Sequence, residues 1–286
     1  KRVSVLKRII SLLLVLGLLL LSSCRAPWND AKAKQAELDS HQIMQSLIPP
    51  DMQLYRERTL PPKQLATLKQ NWPAVRSKLA LNADEQKTFN KLLTRFTENK
   101  AEKHLQRDLD AKIKRLSTEI NTKWPLMQTS LDLLMQGWVE SSQQLSSSEK
   151  AHSRALLAAI ISQMPAEWLQ NKELREQAFA QMVVIARELE IDNYNQFNQL
   201  SYEQFNDKLA HLIQGLKDLG LVYGLDWNAS QAKLQVKVLE QSGNKAKVQI
   251  RYPLGKKWVE FTMDLIEQDG HWYDASALAL FNTAGI

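Results

Sequence analysis

The spacing of apolar residues changes once along this chain, and that change constrains the fold more than any other feature. Between Pro62 and Leu219 apolar side chains recur at three- and four-residue steps, the period of a helix with one buried face. From Leu234 onward the period is two. Leu234, Val236 and Val238 alternate with Gln235 and Lys237, and Ala246, Val248, Ile250 and Tyr252 alternate with Lys247, Gln249 and Arg251. Val259, Phe261, Met263 and Leu265 alternate in turn with Glu260, Thr262 and Asp264. Ser242-Gly243-Asn244, Pro253-Leu254-Gly255 and Gln268-Asp269-Gly270 supply turn chemistry between these runs and before His271-Trp272-Tyr273. The pattern predicts a mainly α protein with a C-terminal α+β part: a helical bundle followed by a four-stranded antiparallel meander packed on a helix. Tyr202 to Leu219 is the nearest helix to cover the meander's apolar face.

Within the helical part, Pro49-Pro50 and Pro61-Pro62 bracket a connecting segment, Asp51 to Leu60, that cannot belong to one continuous helix. Leu65, Leu68, Trp72, Val75 and Leu79 mark the next helix, kinked or divided at Pro73. Asn82-Ala83-Asp84-Glu85 caps a third, whose stripe runs from Phe89 through Ile120 toward Asn121; unbroken, it is roughly 58 Å long. That length suits either a coiled-coil seam or packing on its own neighbours. Trp124-Pro125 ends it, and helices from Leu126 to Gln143 and from Glu149 to Gln163 follow, the second opened by Ser146-Ser147-Ser148. Another runs from Lys172 to Glu190, and Ser201-Tyr202-Glu203-Gln204 is a capping box for the last. Short connections favour an antiparallel bundle. Trp72, Trp124, Trp138 and Trp168 read as packing anchors.

The N-terminus has the layout of an export signal. Lys1, Arg2, Lys7 and Arg8 precede an uncharged run of 13 residues, Ile9 to Leu21, too short to span the roughly 20-residue hydrocarbon core. It ends at Leu21-Ser22-Ser23-Cys24, which resembles the lipobox of bacterial lipoproteins. That resemblance implies removal of residues 1–23 and acylation of Cys24, with palmitate-like chains holding the protein to membrane lipid. Arg25 after the Cys resembles the default class sorted to the outer membrane, with the folded part in the periplasm; the inner membrane is the lesser expectation. Residues 24–61 then form an acylated tether and first helix. The polar stretch from Arg25 to about Asp39 is expected to hold the fold some distance from the bilayer, and Trp28 falls near the lipid interface.

Cys24 is the sole cysteine, so lipidation leaves no thiol for disulfides, metals or catalysis. Without residues 1–23 the chain carries 33 basic and 31 acidic residues, a balance that removes the case for nucleic acid. His41, His104, His152, His211 and His271 show no metal-ligand spacing, and no Gly-rich phosphate loop, nucleophile elbow or zinc-hydrolase motif appears. No cofactor, metal or catalytic residue is therefore expected, and the chain reads as a non-enzyme. Asp269, His271 and Asp274 are the nearest approach to an acid/base group.

Residues 62–164 read as a helical region and 165–286 as a small α+β domain, whether the two are one folding unit or two. Helices before a curved meander ending in Asp269-Gly270-His271-Trp272-Tyr273 are similar to the tail of NTF2-like or cystatin-like domains. Trp258 and Ile266 fall out of phase with Val259 and Phe261 and, with Tyr273, face the other side of the sheet, where they suggest a partner or ligand surface. Two functions follow as expectations. The first is a lipid-anchored periplasmic accessory or scaffold lipoprotein acting through contacts with envelope proteins. The alternative is a small-ligand-binding, or less readily enzymatic, module with an apolar pocket among Tyr252, Trp258, Phe261 and Trp272.

Overall fold

The computed structural model describes residues 29–78, 80–116 and 119–283. The signal, Cys24, Arg25 and Trp28 lie outside the described residues. The helices before the sheet are α1 (Asp30–Gln45), α2 (Met52–Thr59), α3 (Pro62–Gln70), α4 (Trp72–Lys78), α5 (Ala83–Thr97), α6 (Ala101–Leu116), α7 (Ile120–Ser141) and α8 (Ser147–Gln163). They continue as α9 (Glu167–Gln170), α10 (Lys172–Glu188), α11 (Tyr194–Phe197), α12 (Tyr202–Val222) and α13 (Trp227–Gln231). The strands are β1 (Gln235–Ser242), β2 (Lys245–Leu254), β3 (Lys257–Gln268) and β4 (His271–Asp274), and α14 (Ala275–Thr283) closes the chain. The fold class is the one the sequence predicts: mainly helical, with a C-terminal antiparallel sheet in the order β1-β2-β3-β4.

Local chemistry sets many of these boundaries. Asn82, Ser146 and Ser201 each accept a hydrogen bond from the third residue on, while Glu85, Glu149 and Gln204 reach back to the cap. Asp51 caps α2, which places a short helix of its own between the two proline pairs. Of the two outcomes expected at Pro73, a kink or a division, the helix is divided, since α3 stops at Gln70 and α4 starts at Trp72.

The predicted 58 Å helix is two helices. Lys100 has φ 60, and the chain turns between α5 and α6 so that both pack on α10. Folding the stripe back lets Phe96, Ala101 and Leu105 meet Phe179 and Val183, burial that a projecting seam would forgo. A second boundary also differs: Trp124-Pro125 does not start a new helix, because α7 runs from Ile120 through Pro125. Pro125 lies inside the helix at its sixth residue, so the helix runs on without the backbone hydrogen bond that position would donate to Asn121 O.

The sheet's inner face follows the alternation. Val248, Ile250, Tyr252 and Leu254 of β2 pair across from Met263, Phe261, Val259 and Lys257 of β3, and the apolar ones are buried. Its cover differs from expectation. The helices most closely packed on the strands are α8, on β3, and α1, on β1, β2 and β4, with α13 on β2 and α14 on β3 as smaller contacts. α12 packs chiefly on α10 and meets the main core only through Leu209, Ala210 and Ile213. Sequence adjacency favoured α12, but α1 offers Ala33, Ala36, Ile43 and Met44 on one face, the alanines letting the helix approach the sheet and Ile43 and Met44 filling the core. Asn29 N–H also donates to Gln241 Oε1 at 2.7 Å, and Asp39 Oδ2 accepts from Trp272 N–H at 2.8 Å. The main core thus draws on both sides of the boundary expected at residue 165.

Gln163, at the end of α8, holds the β2–β3 hairpin. Its Nε2 donates to Leu254 O at 3.0 Å and its Oε1 accepts from Lys256 N–H at 2.9 Å. Between these lies Gly255 at φ 58, where a Cβ would come within 2.3 Å of Gln163 Oε1, so the turn requires glycine twice over.

Candidate functional site

Three groups of residues are candidates: the sequence-predicted aromatics of the sheet, a cavity walled by α2, α3, α4, α12 and α14, and the outer face of α7.

The aromatics do not form one surface. Tyr252 is fully buried among the inner-face residues, its hydroxyl sharing a 2.6 Å hydrogen bond with His152 Nε2. His152 stacks on Phe261 with ring centroids 4.5 Å apart, and burial pushes its pKa down to about 4, so the ring is neutral at pH 7. Phe261 and Trp272 are likewise buried in the core that α1 and α8 fill, so the apolar pocket expected there is occupied by the protein's own side chains. Trp258 does lie on the open face, 46% exposed, under the Arg251 guanidinium at 4.1 Å from the ring centre. Tyr273 is buried and pairs with Ile266, eight residues along β3 from Trp258, or roughly 27 Å. That separation splits the expected surface.

The acid/base group is also dispersed. Asp269 holds a left-handed turn position at φ 52, His271 is exposed, and Asp274 is buried. Asp274 Oδ1 instead collects Ser148 Oγ–H at 3.0 Å, Ser276 Oγ–H at 2.7 Å, and the N–H groups of Ser276 and Ala277. Burial still pushes its carboxyl pKa up, and its Oδ2 has no partner among the described residues. The arrangement caps α14 and ties it to the start of α8.

In the first turn of α8, directly after Ser148, Glu149 faces α2. Its Oε1 accepts from Arg56 at 3.3 Å and from the Tyr55 hydroxyl at 3.4 Å, while Oε2 accepts from Ser146 N–H. The ion pair keeps Arg56 charged despite burial. It stands at the wall of a cavity of about 560 Å³. Leu60, Leu68, Trp72, Phe205, Leu209 and Phe281 give that cavity its apolar lining. Leu200 O fixes one side by accepting from Trp72 Nε1 and from Arg76, both at 3.0 Å. Tyr202 lines the same side, edge-on to Trp72 at 5.6 Å. No local pattern marked this site: Arg56 sits in a polar eight-residue helix and Tyr202 in a capping box, and only folding brings them together.

α7 shows the third feature. Trp124 and Val139 are buried, but Leu134 and Trp138, expected to pack with them, are 69% and 65% exposed. Leu126 and Leu133 are each 68% exposed, and Met127 is exposed beside them. At 100° per residue these five span roughly 140° of the helix, opposite the side that packs on α8. Only uncharged Ser130 and Gly137 interrupt them.

Fold and sites together define a class only: a helical protein closed by a small antiparallel sheet, with an apolar cavity and an exposed apolar helix face. No known protein family, curated protein or solved structure matches the chain.

Proposed function

We propose that this chain is an envelope lipoprotein, held to the periplasmic face of the outer membrane by an acylated Cys24 and acting as an accessory or scaffold through protein contacts. The observation that carries the contact role is the outer face of α7, where five large apolar side chains project on a single helix. An exposed stripe of that size, kept in water, has no stabilising role in the monomer and invites aggregation unless a partner covers it. The partner that fits is a protein with an apolar helix or groove, able to take Trp138 and Leu134 as central anchors.

The anchor sets how that face is presented. Asp30, where α1 starts, follows Cys24 by six residues, at most about 22 Å of extended chain. An acylated Cys24 therefore holds the end of α1, and the β1–β2 hairpin bonded to it, close to the bilayer; this is a shorter tether than the composition of residues 25–39 suggested. Among the described residues no helix is long and apolar enough to cross a membrane.

Photocrosslinking in intact cells tests the contact role. A benzophenone amino acid at position 134 should give a discrete protein adduct that disappears when Trp138→Asp is added, while the same probe at Glu260, on the open face of the sheet, should give none. Equal adducts at both positions, or only lipid adducts at 134, would refute it.

A further inference from the structure

The cavity beside the Arg56–Glu149 pair is independent of the α7 face and of the anchor, and its chemistry is polarised. One part is apolar, bounded by Leu60, Leu68, Trp72, Phe205 and Phe281. Arg56, Glu149, Tyr202 and Asn206 stand together in the wall formed by α2, α12 and the start of α8; Gln143, Gln144, Thr283 and Lys78, which has an interaction of its own, are the other polar residues of the lining. Its volume of about 560 Å³ lies within the roughly 300–1,000 Å³ of small-molecule sites.

Tyr202 is the telling residue. It is 4% exposed, yet its hydroxyl has no hydrogen-bond partner among the described residues. Burying a hydroxyl unpaired is costly, and native structures rarely leave one so. Burial pushes its pKa up, against smaller downward pulls from Arg56 and from the neighbouring Asn206 side chain, which lies outside hydrogen-bond geometry with the hydroxyl, so at neutral pH it is a proton donor. Beside it, Arg56 uses one N–H on Glu149, and a guanidinium carries five. The wall therefore offers donors to an acceptor oxygen. Glu149 already balances the Arg56 charge, so a compact, highly charged anion has no surplus cation to meet in this wall, whereas a carbonyl or carboxylate oxygen on an apolar body matches both parts.

We propose that this cavity binds a single-chain amphiphile: one acyl chain along the apolar lining, with its terminal carbonyl or carboxylate oxygen accepting from the Tyr202 hydroxyl and Arg56. Free fatty acids and lysophospholipids share this chemistry, and an envelope protein on a lipid surface meets both.

The purified full chain, exchanged out of detergent, can be titrated with dansyl-undecanoate and followed by dansyl emission and by the change in total tryptophan fluorescence. Saturable binding is expected, with displacement by palmitate; further displacement by lysophosphatidylcholine would identify an acyl ester as an accepted head group, and its absence would restrict the site to free acids. Tyr202→Phe should weaken binding about fivefold to tenfold, the loss of one hydrogen bond. It should not lower the melting temperature, because the hydroxyl removed has no partner in the free protein. Val75→Trp, from the lining, should abolish binding by filling the space. Absence of saturable binding, failure of both lipids to displace the probe, or an affinity untouched by Tyr202→Phe would overturn the assignment. These outcomes leave the crosslinking at position 134 unaffected.

Discussion

Gly215 shows how closely one residue is held. It lies on α12 against α10, and a Cβ there would stand 2.4 Å from Ile185 Cγ1. In an exposed helix Gly→Ala gains about 1 kcal/mol; here the overlap reverses the sign, and Gly215→Ala should destabilise by roughly 1–2 kcal/mol. Removing the obstacle should restore the helical gain, so in an Ile185→Ala background the same change should be neutral or stabilising. Urea denaturation of the four proteins measures this coupling, and simple additivity would contradict it. The composition showed only a helical glycine, since its neighbour is about 30 residues away.

His152 makes stability depend on pH with a definite sign. Its folded pKa, about 4, lies below the unfolded value of 6.5, so between these the unfolded chain binds more protons. Its contribution is intact above pH 6.5 and shrinks as pH falls toward 4, by about 2 kcal/mol at pH 5. Asp274, raised by burial, works in the opposite sense over the acid range. Comparing wild type with His152→Gln isolates the histidine: the wild type should lose more stability between pH 7 and pH 5. Parallel pH profiles would show that the ring is not held neutral.

At the level of elements, legibility followed locality. The three capping boxes and the four strands were readable because each is written in a few adjacent residues: a cap and its partner, or an apolar alternation between turns. The break at Lys100 was missed although the stripe itself carries it: no Gly or Pro stands there, but at 100° per residue Phe89, Leu92, Leu93 and Phe96 face roughly 150° away from Leu105, Leu109 and Ile113, so one straight helix could not bury both sets on one side, and their shared partner α10 is distant in sequence. The cover of the sheet was misjudged for the same reason, since α1 and β1 are about 200 residues apart. The candidate cavity was illegible throughout, because Arg56, Glu149 and Tyr202 come from three distant helices with no shared motif. Dependence on α1 has a direct consequence. Ile43 is fully buried under the sheet, and Ile43→Ala should cost about 2–5 kcal/mol. A fragment of residues 165–286, which lacks both α1 and α8, should show no cooperative thermal transition by circular dichroism; a sharp, reversible melt of that fragment would mean that the sheet carries its own core.

For the whole molecule, the proposed lipid anchor would hold a fold with two apolar features, the outer face of α7 and the cavity beside Arg56. Such an anchor would govern the other two, by deciding which proteins α7 can meet and which lipids reach the cavity. Feeding cells an alkyne fatty acid, then fractionating membranes from wild type and from Cys24→Ala, tests it most directly. The account predicts label on the wild-type protein in outer-membrane fractions, and a Cys24→Ala protein without label that is either uncut or soluble. Label retained by Cys24→Ala, or an unlabelled wild-type protein in the soluble fraction, would contradict it.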